Sequence, residues 1–483
     1  MFAAMHAAAK PIEDKKWLEA RCPNFSIIGA RDKDYLVEVC RDAEVFRSAL
    51  LAVTGIEPSP HAPPTQVFLI PNEQFQDLTG HDNWTAMSAR NRWGDITIVL
   101  DSAVVRKTQA VWHEYVRTIL NGRLGIDYPL WYSEGLAEYF ASSISFQGTF
   151  TIGKPNLYHL RRFHRRSLIE PHELLTSTAF ANLDENERAS FYSWSWLLVH
   201  FLQHSTRREV PVKDGLNRYY EARLSGKEEI DSFVGAFRIQ PDDLRGRLMR
   251  YGERECCDYL ELDEEVLVGD VPTELRRLPR EEVILELGRI AVAMGHVELA
   301  ENWLAMARGD EKTRARALAL SATLQSQAGD FSAASDLLGK AVSIAPDDPY
   351  IQIEHAHFLM EQYKRSGEAK KLADIYAAQN ALAKAWSLDK SLAASYALTG
   401  ETYLLLGGKP ERAVELLEQA VTLRPTERGY RNTLATAYYE AGDSESAMAM
   451  ARSLANWAHG EDEVTETARQ LLDKIEERNN ESD

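Results

Sequence analysis

From Glu282 onward, small residues return at a fixed pitch, and that pitch dictates what this half of the chain can become. Gly288, Gly295, Ala300 and Ala307 recur as Ala322, Gly329, Ala334 and Ala341, with gaps of seven, five and seven residues and Pro346 closing the unit. The phase continues through Ala356, Tyr363, Ala378 and Ala385 with a longer inter-helix turn, then through Gly400, Gly407, Ala413, Ala420 and Pro425 with one extra residue. Ala435, Gly442 and Ala447 mark a last unit. Small side chains at these places let two antiparallel helices approach closely, and the proline ends the second helix. A unit of about 34 residues cannot bury its apolar face alone, so it stacks on its neighbours. The expectation is an all-α superhelix over 282–460, about five units long, with a capping helix and polar tail over 461–483.

Residues 1–260 follow another pattern, that of an α+β domain. In 1–103, short runs rich in branched residues, 24–29, 66–71 and 95–101, read as strands. Between the first two, Tyr35, Val39, Val45, Leu50 and Leu51 fall on one stripe of a helix from Lys33 to Val53. Residues 104–145 hold two helices that carry chemistry, and 146–260 are mainly helical. The mixed-charge stretch 261–281, with Pro272 and Pro279, reads as a linker.

Composition narrows the partners. Lys and Arg total 55 against 73 Asp and Glu, a formal charge of −18, which argues against nucleic acid and anionic membranes. No apolar run approaches the roughly 18 to 20 residues that span a bilayer. Cys22, Cys40, Cys256 and Cys257 lack the spacing of a disulfide framework or a zinc knuckle. The opening MFAAMHAAAKPIEDKKW has no basic n-region, so as written the chain reads as cytoplasmic. Its AMHAAAK segment has the small residues of a cleaved signal, and a start upstream of Met1 would make the protein exported.

Residues 112–140 read WHEYVRTILNGRLGIDYPLWYSEGLAEYF. A His-Glu-x-x-His zinc site sets two imidazoles one helical turn apart, because residues i and i+4 share a helix face. Here His113 and Glu114 stand in place, but the second imidazole is replaced by Arg117. Arginine stays protonated and offers no lone pair, so it cannot coordinate a cation. The helix is expected to run from Lys107 to a glycine cap at Asn121-Gly122. Sixteen residues then separate Arg117 from Glu134, enough to return a second helix with Glu134 and Glu138 on one face.

Two resemblances follow. The repeats resemble tetratricopeptide repeats, whose concave groove binds a peptide or another protein. The HEYVR and EGLAEYF elements, with WLEARCPNFSIIGA before them and SWLLVHFL after, resemble the peptidase MA-like group of gluzincins. The resemblance implies a gluzincin-like N-terminal domain followed by a tetratricopeptide superhelix. Carried over, His113 and Glu134 would be zinc ligands and Glu114 the general base. Glu138 would accept from the ring N–H of His113, Tyr192 would meet an oxyanion, and strand 95–101 would be the edge on which an extended peptide adds.

Arg117 breaks that pattern, and a guanidinium in the vacated position would pair with Glu134 and Glu114. His200 and His204, spaced i and i+4, are candidate replacement ligands, but His200 reads better as a packing histidine. His159, His164 and His172 lie among arginines and read as a basic surface. Tyr396, Tyr403, Tyr430, Tyr438 and Tyr439 are candidate groove aromatics that read more readily as packing within repeats. The leading expectation is an impaired peptidase-like protein that acts through partner binding and needs no cofactor. The alternatives are an active zinc peptidase with an atypical ligand set and a peptide-binding module that does not cleave.

Overall fold

A computed structural model of the chain describes residues 15–56, 63–79, 86–93, 96–102, 110–120, 128–164, 169–180, 182–205, 210–254, 258–366, 372–425, 427–455 and 462–482. The first elements are β1 (Leu18–Arg21), β2 (Phe25–Gly29), α1 (Lys33–Thr54), β3 (Thr65–Ile70), α2 (Asn72–Thr79), β4 (Ala86–Arg90) and β5 (Ile96–Asp101). A mainly helical stretch follows: α3 (Ala110–Leu120), α4 (Leu130–Ala141), β6 (Ile144–Phe146), β7 (Thr149–Ile152), α5 (Leu157–His164), α6 (Pro171–Leu175) and α7 (Ser177–Phe180). It continues with α8 (Glu185–His204), α9 (Val212–Leu224), α10 (Glu229–Phe237), α11 (Pro241–Arg254), β8 (Leu260–Asp263), α12 (Glu264–Val268) and β9 (Glu274–Arg277). The repeat helices are α13 (Arg280–Ala293), α14 (Val297–Met306), α15 (Glu311–Gln327), α16 (Phe331–Ile344), α17 (Pro349–Arg365) and α18 (Leu372–Leu388). The chain ends with α19 (Ala393–Leu405), α20 (Pro410–Leu423), α21 (Arg428–Glu440), α22 (Ser444–Ala455) and α23 (Glu463–Ser482).

The chain divides into two compact units, one of them Met1–Glu44, Pro63–Thr108 and Val271–Leu398. It holds a six-stranded sheet in the order β4-β5-β3-β2-β1-β9, parallel across β2, β3 and β5 and antiparallel elsewhere. Every residue of β2 is buried, which explains the continuous apolar run in its sequence. On one face Ile28, Phe68, Ile70 and Val99 share a core with Trp17 and with Ile284, Leu287 and Leu304 of the first repeat helices. On the other, Leu36 of α1 lies against Gly29 and Leu69, where a Cβ on the glycine would meet Leu69 at 3.1 Å.

Two sequence expectations are corrected by the strand pairings of this sheet and of a second, three-stranded sheet in the order β6-β7-β8. Strand 95–101 is not an edge, because β5 pairs with β3 on one side and β4 on the other. The stretch 261–281 is not a bare linker, since it carries β8, which pairs with β7, and β9, which pairs with β1.

The second unit comprises Val45–Ala62, Gln109–Asp270 and Thr399–Asp483. At its centre α4 buries eleven of its twelve residues. Trp131 of α4, 1% exposed, meets Phe233 and Phe237 edge-on at 5.6 and 5.8 Å, and Phe46 meets Tyr115, Phe140 and Phe150. The long α8 starts at a capping box in which Asp184 accepts from the Glu187 amide and Glu187 reaches back to Asp184.

The repeat residues serve two different ends. Ala300, Ala322, Ala334, Ala341, Ala356, Ala378, Ala385, Ala413, Ala420, Ala435 and Ala447 are buried, and a Cβ at Gly288 or Gly400 would meet Leu304 or Leu417 at 2.8 Å. Gly295, Gly329, Gly407 and Gly442 instead have φ of 77, 86, 66 and 84°, with nothing within 4 Å of an added Cβ. They end helices in the left-handed conformation and do not mediate close helix contact. Asp310, Asp330 and Asp348 cap the N-termini of α15, α16 and α17.

Candidate functional site

Helix α3 sets His113, Glu114 and Arg117 on one stretch of surface, and α4 brings Glu134 and Glu138 against them. His113 Nε2 lies 3.5 Å from Glu134 Oε2 and 3.7 Å from Glu138 Oε1. Arg117 Nη1 lies 3.4 Å from Glu114 Oε1, and its Nε lies 3.5 Å from Glu134 Oε1. Glu134 is nearly inaccessible, with 4% of its side chain exposed, whereas Arg117 retains 36%. The guanidinium therefore bridges a buried carboxylate to a half-buried one. Those two charges hold its pKa above the ordinary value, although burial by itself works the other way.

Two ring systems complete the cluster. His159 of α5 is 2% exposed, with Nε2 3.0 Å from Glu138 Oε2 and Nδ1 3.0 Å from Ser193 Oγ of α8. The Ser193 hydroxyl also donates to the Ala189 carbonyl, so both ring nitrogens of His159 face acceptors. Its ring stacks on Trp196 at 5.4 Å. The expectation of a basic surface at His159 is thus corrected: Arg161 is exposed on the same helix, while the imidazole points inward. Glu138 takes a hydrogen bond from His159 on one oxygen, while its other oxygen stands 3.7 Å from His113 Nε2. A buried imidazole spaced from flanking arginines was the available signal in LYHLRRFH, and a charge-run reading hides it.

Tyr192 of α8 is packed by Phe180 and Phe191, and its hydroxyl is pushed up to about 12 by burial and by the charge of Glu134. His200 is fully buried and satisfied, with Nδ1 2.7 Å from the Tyr251 hydroxyl and Nε2 2.9 Å from the Gly153 carbonyl. Burial and the neighbouring His204 bring it down to about 4. His204 Nε2 lies 2.8 Å from the Tyr139 hydroxyl. His172 is exposed, and the His164 side chain, Lys107, Asn121, Gly122, Cys256 and Cys257 lie outside the described residues. Among the groove candidates, Tyr430 is buried, Tyr438 donates to Glu418 at 2.8 Å, and Tyr439 lies under the Arg478 guanidinium at 5.1 Å.

The donor set can be compared with a zinc ion's needs. Two ligands on a tetrahedral ion with bonds of about 2.1 Å stand about 3.4 Å apart, close to the 3.5 Å between His113 Nε2 and Glu134 Oε2. Among the described residues no third donor joins this pair, and a fixed cation stands beside the second oxygen of Glu134. Among the described residues, no group of three His, Cys, Asp or Glu is placed to hold a metal. The described residues do not fit zinc.

Burial alone would raise the Glu138 pKa, but the His159 hydrogen bond and the charge of His113 outweigh it and hold the carboxyl below its ordinary value. A depressed carboxyl adds stability above its unfolded pKa, and that stability is lost as pH falls through the folded value. Glu138→Gln is therefore expected to flatten the acid limb of the stability curve below about pH 4.5, read from thermal melts across pH 3 to about 7. An unchanged acid limb would disconnect Glu138 from the fold.

Residues 404–471 match the family described as tetratricopeptide repeat, so this part of the chain is a tetratricopeptide array. No curated protein matches the chain. Among solved structures, the chain is similar to a thermophilic TPR protein of Thermus thermophilus, at 21% identity over 40% of this chain and 98% of that one, with a TM-score of 0.35. It is similar to MamA from Desulfovibrio magneticus at 18% identity, covering 42% and 97%, with a TM-score of 0.26. Yeast Tom70 is 13% identical over 93% of this chain and 82% of its own, with a TM-score of 0.32. Tetratricopeptide repeats suggest protein–protein interaction, and no helix among the described residues is long and apolar enough to cross a membrane.

Proposed function

We propose that this protein works by binding protein partners through its repeats, and that its N-terminal part is a gluzincin-like peptidase domain that has exchanged metal chemistry for a structural ion pair. One observation carries the reading: the Arg117 guanidinium lies against both Glu114 and Glu134, where a His-Glu-x-x-His site would need a neutral imidazole. An arginine there supplies the positive charge the carboxylates require but cannot activate water. Glu114, the residue whose carboxylate would accept a proton from such a water, is engaged by that cation. The cluster retains orienting groups without an electrophile.

Metal content tests this directly. Protein purified without added zinc is expected to carry none by elemental analysis, whereas Arg117→His is expected to gain about one zinc per chain. Stoichiometric zinc in the native protein, lost in His113→Ala, would overturn the reading in favour of an active peptidase with an unrecognised ligand.

A further inference from the structure

Three repeats present equivalent residues to one side. Arg289 of α13, Thr323 of α15 and His357 of α17 stand one repeat length of about 34 residues apart, each directly after the small residue packed within its own helix pair, Gly288, Ala322 or Ala356. Equivalent positions on stacked repeats line one continuous face, the surface such arrays use for ligands. In this chain that face is taken by the chain itself. Arg289 donates to Thr97 Oγ1 at 2.9 Å and to Gln66 Oε1, both on strands of the sheet whose apolar side shares a core with α13, α14 and α15.

At the third repeat the contact becomes chemically specific. Trp93, in the β4–β5 connection, is 9% exposed and donates its indole N–H to Glu354 Oε1 at 2.8 Å. Its ring meets the His357 ring edge-on at 5.3 Å. Beside it, Arg92 Nη1 reaches His357 Nδ1 at 3.2 Å and lies 3.6 Å from Glu354 Oε2, with its guanidinium 5.7 Å from the indole. Thr323 donates to the second Glu354 oxygen at 3.2 Å, which fixes the carboxylate. An arginine can only donate, so Nδ1 of His357 accepts, and burial with the nearby Arg92 charge brings that imidazole down to about 4.

We propose that Thr323, Glu354 and His357 form a recognition pocket for an arginine–tryptophan pair presented on a turn, and that Arg92 and Trp93 fill it in cis. A protein partner with an exposed basic–aromatic turn then competes with the chain's own turn for this pocket. The inference rests on the repeats being a protein-binding array and is independent of whether Arg117 has displaced a metal.

The test uses the full chain and a fluorescein-labelled peptide spanning residues 87–98, with a second peptide carrying alanine at the tryptophan position. Trp93→Ala empties the aromatic part of the pocket and weakens the hold of the resident turn, so its affinity for the first peptide is expected to exceed that of the native protein by at least about tenfold, the cost of displacing the native turn. Adding Glu354→Gln should abolish the gain, and the alanine peptide should bind neither protein. Trp93→Phe keeps an aromatic ring in place but removes the N–H donor and the second ring of the indole, so it provides a milder, folded case if Trp93→Ala does not fold. The proposal fails if neither variant binds the first peptide more tightly than the native protein, or if the alanine peptide binds equally well; the contact would then be packing alone.

Discussion

Alanine at Gly135 is expected to destabilise the protein by about 2–4 kcal/mol, although alanine is the better helix former by about 1 kcal/mol. An added Cβ would stand 2.3 Å from the Ser195 carbonyl oxygen, 2.6 Å from its carbon and 2.8 Å from Val199 Cγ2. The first two are backbone of α8, which cannot rotate away as a side-chain tip can. Both helices are buried on their facing sides, so separation would open a void between α4 and α8. The same shift would carry Glu134 and Glu138 away from α3. Gly339, exposed in α16 with nothing within 4 Å of an added Cβ, is the control: alanine there should stabilise by about 1 kcal/mol. Denaturant unfolding of both variants decides the matter, and two changes of the same sign would refute the packing argument.

That contrast shows which parts of this fold a sequence exposes. The repeat array is legible because one packing constraint recurs: Ala322, Ala356, Ala385, Ala420 and Ala435 are small and buried. The two kinds of glycine are not separable by spacing. Gly288 and Gly400 relieve helix contact, while Gly295 and Gly329 relieve backbone strain, and only coordinates distinguish a missing Cβ from a positive φ. Strand β8 is hidden because its alternation, LELD, is only four residues long, and β9 because ELRR offers no apolar face and is exposed throughout; their identity comes from the partners they meet across a large sequence separation.

The candidate site divides in the same way. Helical spacing suffices to place His113, Glu114 and Arg117 together and Glu134 beside Glu138. His159 joins them only through α5, twenty-one residues past Glu138, at a distance along the chain over which no local period operates. The occupancy of the repeat face by Gln66, Thr97 and Trp93 is likewise a tertiary fact, since a repeat signature fixes which residues line a face and not what fills it.

Removing the cation at Arg117 is expected to cost about 1–3 kcal/mol in Arg117→Ala. The magnitude is set by asymmetry. Arg117 is 36% exposed and its contact with Glu114 is partly screened, which alone would give a small effect, but Glu134 is 4% exposed and would lose a charge it faces at 3.5 Å. Arg117→Met separates charge from packing, because methionine covers the same surface without a charge and should recover only part of the loss. Combining Arg117→Ala with Glu134→Gln should restore most of it, with a coupling of at least about 1 kcal/mol in the double-mutant cycle. If Arg117→Ala were neutral, the guanidinium would be a solvated neighbour and not the cation that holds these carboxylates together. Arg117→His adds a further discrimination: it should be less stable than the native protein without metal and regain that stability when zinc is added, because an ion bound to the folded state alone stabilises it by mass action.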